Sequence, residues 1–191
     1  METVKPIPAE DYGALAAIAD EYLGQDPAAL QAMYRAAPGA FAGYYIDDAL
    51  VGCCYGKSGD GGSFALEGIA VVHPYHARGR GGKLLAFFEK AVAALGYTHI
   101  GLGSAGGYVE RFYMKNGYRP TALKILVEGD GWRQKQGACS YPVTAVETQG
   151  PYTKLVLSAA DYANMNKDEI AAQYGGVESF FIFEKNLEVR Q

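Results

Sequence analysis

The stretch Val71-Val72-His73-Pro74-Tyr75-His76-Ala77-Arg78-Gly79-Arg80-Gly81-Gly82-Lys83-Leu84-Leu85 constrains this chain most. It runs from a β-like segment through a basic, glycine-rich turn into an amphipathic helix. Glycines at 79, 81 and 82 remove the Cβ atoms that would hold an anion off the backbone. Successive N–H groups can then converge on phosphate oxygens at the positive end of the following helix. Arg78, Arg80 and Lys83 place mobile positive charge around the same point. The pattern reads as a pyrophosphate cradle.

Taken alone, such a turn suits a dinucleotide, a nucleoside triphosphate, coenzyme A or no ligand at all. A Walker A loop needs Ser or Thr after its lysine, whereas Lys83 precedes Leu84. The dinucleotide fingerprint lacks its full spacing and its acidic ribose partner. An Arg-Gly segment that binds RNA sits in disordered sequence, but this one leads into a helix striped by Leu84, Leu85, Phe88, Val92 and Leu95.

Around the turn, periodicity and punctuation predict alternating strands and helices. A strand over Thr3 to Ile7 precedes helices from Ala9 to Leu23 and from Pro27 to Ala36. Phe41 to Ile46 and Leu50 to Tyr55 flank Asp47-Asp48 as a hairpin, and Gly56 to Gly62 reads as a loop. Strands follow over Phe64 to Val72, Tyr97 to Leu102 and Thr121 to Glu128, with a short helix opened by Gly106-Gly107 and closed by Asn116-Gly117. The tail adds strands over Val143 to Thr148, Tyr152 to Ser158 and Ser179 to Glu184. A helix opened by the capping sequence Asn166-Lys167-Asp168-Glu169 precedes the last of them.

Charge and cysteine usage then narrow the function. A net charge of −4 argues against a nucleic-acid binder, which needs a broad basic face. No apolar run reaches the roughly 18 residues of a membrane span, and the N-terminus lacks the apolar stretch of a secretion signal, so a soluble cytoplasmic protein is expected. Cys53, Cys54 and Cys139 read as reduced, packed thiols. No Cys/His spacing fits a metal site, and His73, His76 and His99 are scattered.

Two segments in order resemble the GNAT superfamily of acetyl-CoA-dependent N-acetyltransferases. The family pattern Gln/Arg-x-x-Gly-x-Gly/Ala, followed by a helix with a Leu pair, is similar to His76-Ala77-Arg78-Gly79-Arg80-Gly81-Gly82-Lys83-Leu84-Leu85, with His76 in place of the first Gln or Arg. Downstream, Val109-Glu110-Arg111-Phe112-Tyr113-Met114-Lys115-Asn116-Gly117-Tyr118 is similar to the family's A-x-x-F/L-Y-x-x-x-G-F/Y segment. Gly106 stands where the family often has Asn, leaving Ser104 as a substitute hydrogen-bonding group. The resemblance spans about residues 3–128.

That resemblance implies an α/β fold with a mixed, mostly antiparallel central sheet flanked by helices: a core over 1–130, and a C-terminal α+β extension over 131–191 that continues or covers it. It implies acetyl-CoA as acetyl donor, with diphosphate contacts from residues 76–83 and pantetheine contacts from the backbone of Ile69, Ala70 and Val71. Tyr113 then protonates the departing thiolate, a role that requires its hydroxyl within about 3 Å of the sulfur. An amine must lose a proton before attacking, and Glu67 stands where some family members place a carboxylate; burial there would make it a stronger base. Glu110 and His76 are weaker substitutes. Cys53 and Cys54 lack an evident base, which favours direct transfer over a covalent intermediate. The expected acceptor is a small-molecule or peptide amine, and no metal is expected. The alternative is a coenzyme A-binding sensor or scaffold without turnover. The tail's expected roles are extending the sheet, covering the cleft or forming a homodimer surface.

Overall fold

A computed structural model describes residues 1–76, 78–104 and 106–188. The chain forms two compact units, Met1–Gly101 with the chain end from Asn186, and Leu102–Lys185.

In the first unit, strands β1 (Glu2–Pro6), β2 (Ala42–Ile46), β3 (Ala49–Ser58) and β4 (Phe64–Val71) pair antiparallel in that order, and β4 pairs in parallel with the start of β5 (His99–Ser104). Asp47 and Asp48 turn the β2–β3 hairpin with positive φ of 47° and 66°, the turn expected of short polar side chains. Helices α1 (Tyr12–Leu23) and α2 (Pro27–Ala36) cover one face. Ile7, Leu15, Ile18, Leu30, Met33, Phe41, Cys53 and Tyr55 bury themselves there as one cluster. Asp26 caps α2 by accepting from the Ala29 N–H at 2.7 Å, and Pro27 occupies the first turn, where no N–H is needed. On the opposite face lies α3 (Arg80–Ala94), whose Leu84, Leu85, Phe88 and Val92 are buried, with Phe88 6.0 Å from Phe64.

The glycine-rich segment after Tyr55 differs from the loop its composition predicts. β3 continues to Ser58, and a Cβ on Gly56 would collide with the Ala65 carbonyl oxygen of the adjacent strand. The glycine serves close strand approach there rather than a turn.

In the second unit, β6 (Arg119–Glu128) is central. It pairs antiparallel with β8 (Tyr152–Ser158) on one edge and β9 (Gly176–Asn186) on the other, and β7 (Val143–Gln149) adds to β8. The tail strands therefore extend a sheet rather than hang from it. Leu123, Ile125, Val127, Leu155, Leu157, Phe181 and Phe183 are buried. Helix α5 (Lys167–Tyr174) packs on β6 and is capped as expected, with Asn166 Oδ1 accepting from the N–H groups of Asp168 and Glu169 at 3.2 and 3.3 Å. The unit also contains α4 (Tyr108–Lys115). No helix among the described residues is long and apolar enough to cross a membrane.

Candidate active site

The glycine turn is built as a main-chain anion site. After β4 a short turn over His73–Tyr75 leads to Arg78 and Gly79, whose φ values of 59° and 73° are both left-handed, and α3 starts at Arg80. Gly79 suits that conformation without strain, and lacking a side chain it cannot cap the helix. The first intrahelical bond runs from the Lys83 N–H to the Gly79 carbonyl at 3.1 Å. The N–H groups of Arg80, Gly81 and Gly82 thus lack intrahelical acceptors at the positive end of a 15-residue helix. Ala77 lies outside the described residues.

The side chains around this turn divide into committed and open ones. Arg80 was expected as a mobile cation, yet its guanidinium is buried. Nε and Nη2 donate to Glu2 Oε1, the former at 3.2 Å, and Nη1 donates to the Tyr75 carbonyl at 3.1 Å. Tyr44 completes the network by donating to Glu2 Oε2 at 2.7 Å. Bonding to Arg80, then to Tyr44, holds the Glu2 carboxyl below the usual range. Arg80 therefore ties the helix start to β1 and β2, and only its N–H remains for an anion. Arg78 and Lys83 are exposed. His76 donates from Nε2 to the Val71 carbonyl at 2.6 Å and pins the end of β4 to the turn.

β4 itself carries an open edge. It pairs with β3 from Phe64 to Val71, but with β5 only at Phe64–Ile100 and Ala65–Gly101. From Leu66 onward, across Ile69, Ala70 and Val71, it pairs on the β3 side alone among the described residues. The edge opens at a β-bulge, since Tyr55 stands opposite Gly68 and Gly56 opposite Leu66, which makes Glu67 the extra residue. Bulges bend a strand and re-aim a side chain. The burial expected of Glu67 is not found: it lies at the surface, with Oε1 2.9 Å from Lys57 Nζ.

Tyr113 belongs to the second unit. It is buried on α4, with its ring 5.7 Å from Tyr118 and 6.4 Å from Phe183. Glu110 on the same helix is buried as well, and its Oε2 accepts from the Tyr162 hydroxyl at 2.6 Å. Burial first, and the bond to Glu110 second, push the Tyr162 phenol up to about 12. Ser104 Oγ accepts from the Gly106 N–H at 3.4 Å and so supports the turn before α4. Burial pushes the Cys53 thiol to about 12 and holds Cys54 well above its usual value, which leaves neither as a nucleophile. Among the described residues no three His, Cys, Asp or Glu side chains cluster to hold a metal ion.

The structure thus gathers the cradle, the open β4 edge and Glu67 in one unit, and Tyr113, Glu110 and Ser104 in the other. Sequence reasoning missed Glu2, Lys57, Tyr162 and Phe183. Glu2, Tyr162 and Phe183 act across long sequence separations, Lys57 acts across a strand pair, and none carries a local motif.

The model of the acetyltransferase (GNAT) family matches residues 3–118, more than half of the chain. The chain belongs to that family. No curated protein matches it. Among solved structures it is similar to the ribosomal-protein-S18-alanine N-acetyltransferase of Escherichia coli, at 13% identity and a TM-score of 0.61 over 100% of this chain and 97% of that one. It is also similar to a GNAT family acetyltransferase of Elizabethkingia anophelis with acetyl-CoA bound, at 14% identity and a TM-score of 0.55 over 97% and 98% of the two chains. A third is the N-acetylglutamate synthase of Neisseria gonorrhoeae complexed with coenzyme A and N-acetyl-glutamate, at 12% identity and a TM-score of 0.58. That match covers 98% of this GNAT chain but only 35% of the synthase. At these identities the likeness is one of fold: mixed α/β, with mostly antiparallel strands and flanking helices.

Proposed function

We propose that this acetyltransferase moves the acetyl group of acetyl-CoA directly to a primary amine of a small molecule or peptide. The observation that carries the reading is the continuity of the open β4 edge with the uncapped head of α3. A diphosphate needs convergent N–H groups, and a pantetheine arm carries amides that take main-chain bonds. Both are offered in sequence along one connection. Arg78 and Lys83 add exposed positive charge, and His76 and Arg80 hold the frame.

In this reading an N–C bond forms as the amine attacks the thioester carbonyl, and the C–S bond breaks. Backbone donors near Ile69, Ala70 and Val71 stabilise the oxyanion. Glu67, re-aimed by the bulge, accepts the proton lost by the amine nitrogen, directly or through water. Tyr113 gives its phenolic proton to the departing sulfur. The protonated thiols of Cys53 and Cys54 support direct transfer rather than an acyl-cysteine. The unpaired cysteines suit the reducing cytoplasm.

The test is thiol release from acetyl-CoA over a panel of primary amines, with the N-acetylated product identified by mass spectrometry. Turnover with at least one amine is expected. Saturable coenzyme A binding with no turnover on any amine overturns the reading in favour of a sensor or scaffold.

A further inference from the structure

Glu2 stands 78 positions before Arg80, yet its carboxylate anchors the glycine turn. Oε1 accepts from Arg80 Nε at 3.2 Å and from Nη2 as well, which fixes one side of the guanidinium fork. The remaining nitrogen, Nη1, donates to the Tyr75 carbonyl at 3.1 Å. That bond brackets Arg78 and Gly79, the two left-handed residues before α3. Arg78 carries a Cβ and does not favour a φ of 59° by itself; such a conformation persists where the flanking structure imposes it. Once residues 75 and 80 are tied together, the N–H groups of Arg80, Gly81 and Gly82 have a fixed direction.

Glu2 is held in its turn. Its Oε2 accepts from the hydroxyl of Tyr44, a buried residue of β2, at 2.7 Å. Val4 pairs with Tyr44, and Glu2 stands two places from Val4 on the same face of β1, so the strand register itself delivers the carboxylate to the phenol. β1 and β2 are already in register from Glu2 to Pro6 through their main chains. The strand therefore does not need the ion pair to find its place, and what the pair adds is the orientation of Arg80.

We infer that Glu2 is a positioning residue for the acyl carrier: acting through Arg80 and the Tyr75 carbonyl, and held by Tyr44, it aims the N–H groups at the head of α3 that receive the diphosphate. The inference rests on the acetyl-CoA cradle of the proposed reading and deepens it, extending the binding machinery to the N-terminal strand. All of its members lie in the first unit. The opposite role, an acid that withholds a cation from the phosphate, predicts tighter binding once the acid is neutralised. The sign of the effect decides between the two.

The experiment compares steady-state kinetics of the full chain with acetyl-CoA and with acetyl-pantetheine, a donor that keeps the thioester and the arm but has no diphosphate. Glu2→Gln keeps the shape and removes the charge. It is expected to raise KM for acetyl-CoA about 5-fold, the scale of a residue that acts through another, while kcat at saturating acetyl-CoA, KM for the amine and kcat/KM for acetyl-pantetheine stay put. Tyr44→Phe loses only the bond to Oε2, with a smaller rise of about 2-fold in the same pattern. Adding Glu2→Gln to Arg80→Met is expected to raise KM no further than Arg80→Met does, as for residues that act as one. If Glu2→Gln fails to fold, Tyr44→Phe carries the same comparison. A Glu2→Gln protein that binds acetyl-CoA more tightly or just as before, that loses kcat in step with KM, or that loses both donors alike overturns the positioning role and leaves the cradle standing. A wild-type chain that uses acetyl-pantetheine as well as acetyl-CoA overturns the cradle and the inference together.

Discussion

Around the glycine turn of the first unit, the buried or anchoring side chains have protein partners: Arg80 with Glu2 and Tyr75, His76 with Val71, Glu67 with Lys57. What stays open there is backbone, together with the exposed side chains of Arg78 and Lys83. Around Tyr113 in the second unit the reverse holds, since the backbone before α4 is supported by Ser104 while Glu110 keeps a buried oxygen unmatched. In the proposed reading, main-chain N–H groups beside two exposed cations recognise what any diphosphate carrier shares. The contrast is between a turn that offers its groups outward and a helix whose Glu110 and Tyr113 are enclosed.

The largest expected effect would break the first half of this contrast. Gly79→Val forces a β-branched residue into a φ of 73° and should weaken coenzyme A binding about 100-fold, the loss of two or so charge-assisted bonds. Calorimetry showing unchanged affinity would remove the cradle. Next, Tyr113→Phe should lower kcat about 100-fold, the usual contribution of a general acid, with coenzyme A affinity retained. Unchanged turnover would take Tyr113 out of the acid role. A smaller effect separates open cations from committed ones. Arg78→Met or Lys83→Met should each cost about 3- to 10-fold in coenzyme A affinity and flatten its salt dependence. Arg80→Met should leave the salt dependence intact and lower the melting temperature instead, because it strands Glu2. An Arg80 variant with the salt signature of Arg78 would contradict the assignment of its guanidinium.

The smallest effect concerns pH. Tyr162 and Tyr174 hold their protons to about 12 in the folded chain, in both cases chiefly through burial. In the unfolded chain an ordinary tyrosine loses its proton near 10. Their contribution is therefore complete below about pH 10 and is lost as pH rises toward the folded values. Urea melts should show stability that begins to decline above about pH 8.5, where the thiols of the unfolded chain ionise while buried Cys53 and Cys54 stay protonated, and declines more steeply above about pH 10, the second part being smaller in Tyr162→Phe. A stability curve with no alkaline decline would deny the burial of these phenols.

Local signals made much of the fold legible. The Asp47-Asp48 turn, the Asn166 cap and the stripe of α3 are fixed by neighbours a few residues away, and each stands where periodicity and capping place it, except that Leu95, expected in the stripe, lies exposed at the helix end. Gly56 misled because composition cannot distinguish a glycine that turns the chain from one that lets two strands approach. The cradle was visible because consecutive glycines announce themselves. The partner of Arg80 was not, since Glu2 lies 78 positions away. Nor was the bulge at Glu67, a property of register between two strands. The bond from Tyr162 to Glu110 spans 52 positions and leaves no pattern in either segment.

The placement of β6 between β8 and β9 bears on where this protein can be cut. A version ended at residue 130 would keep the stretch matched by the family, but it would strip a ten-residue strand on both flanks and offer its bare hydrogen-bonding groups to any neighbouring chain. Such a fragment invites clumping in solution, so the last sixty residues are inseparable from the solubility of the rest.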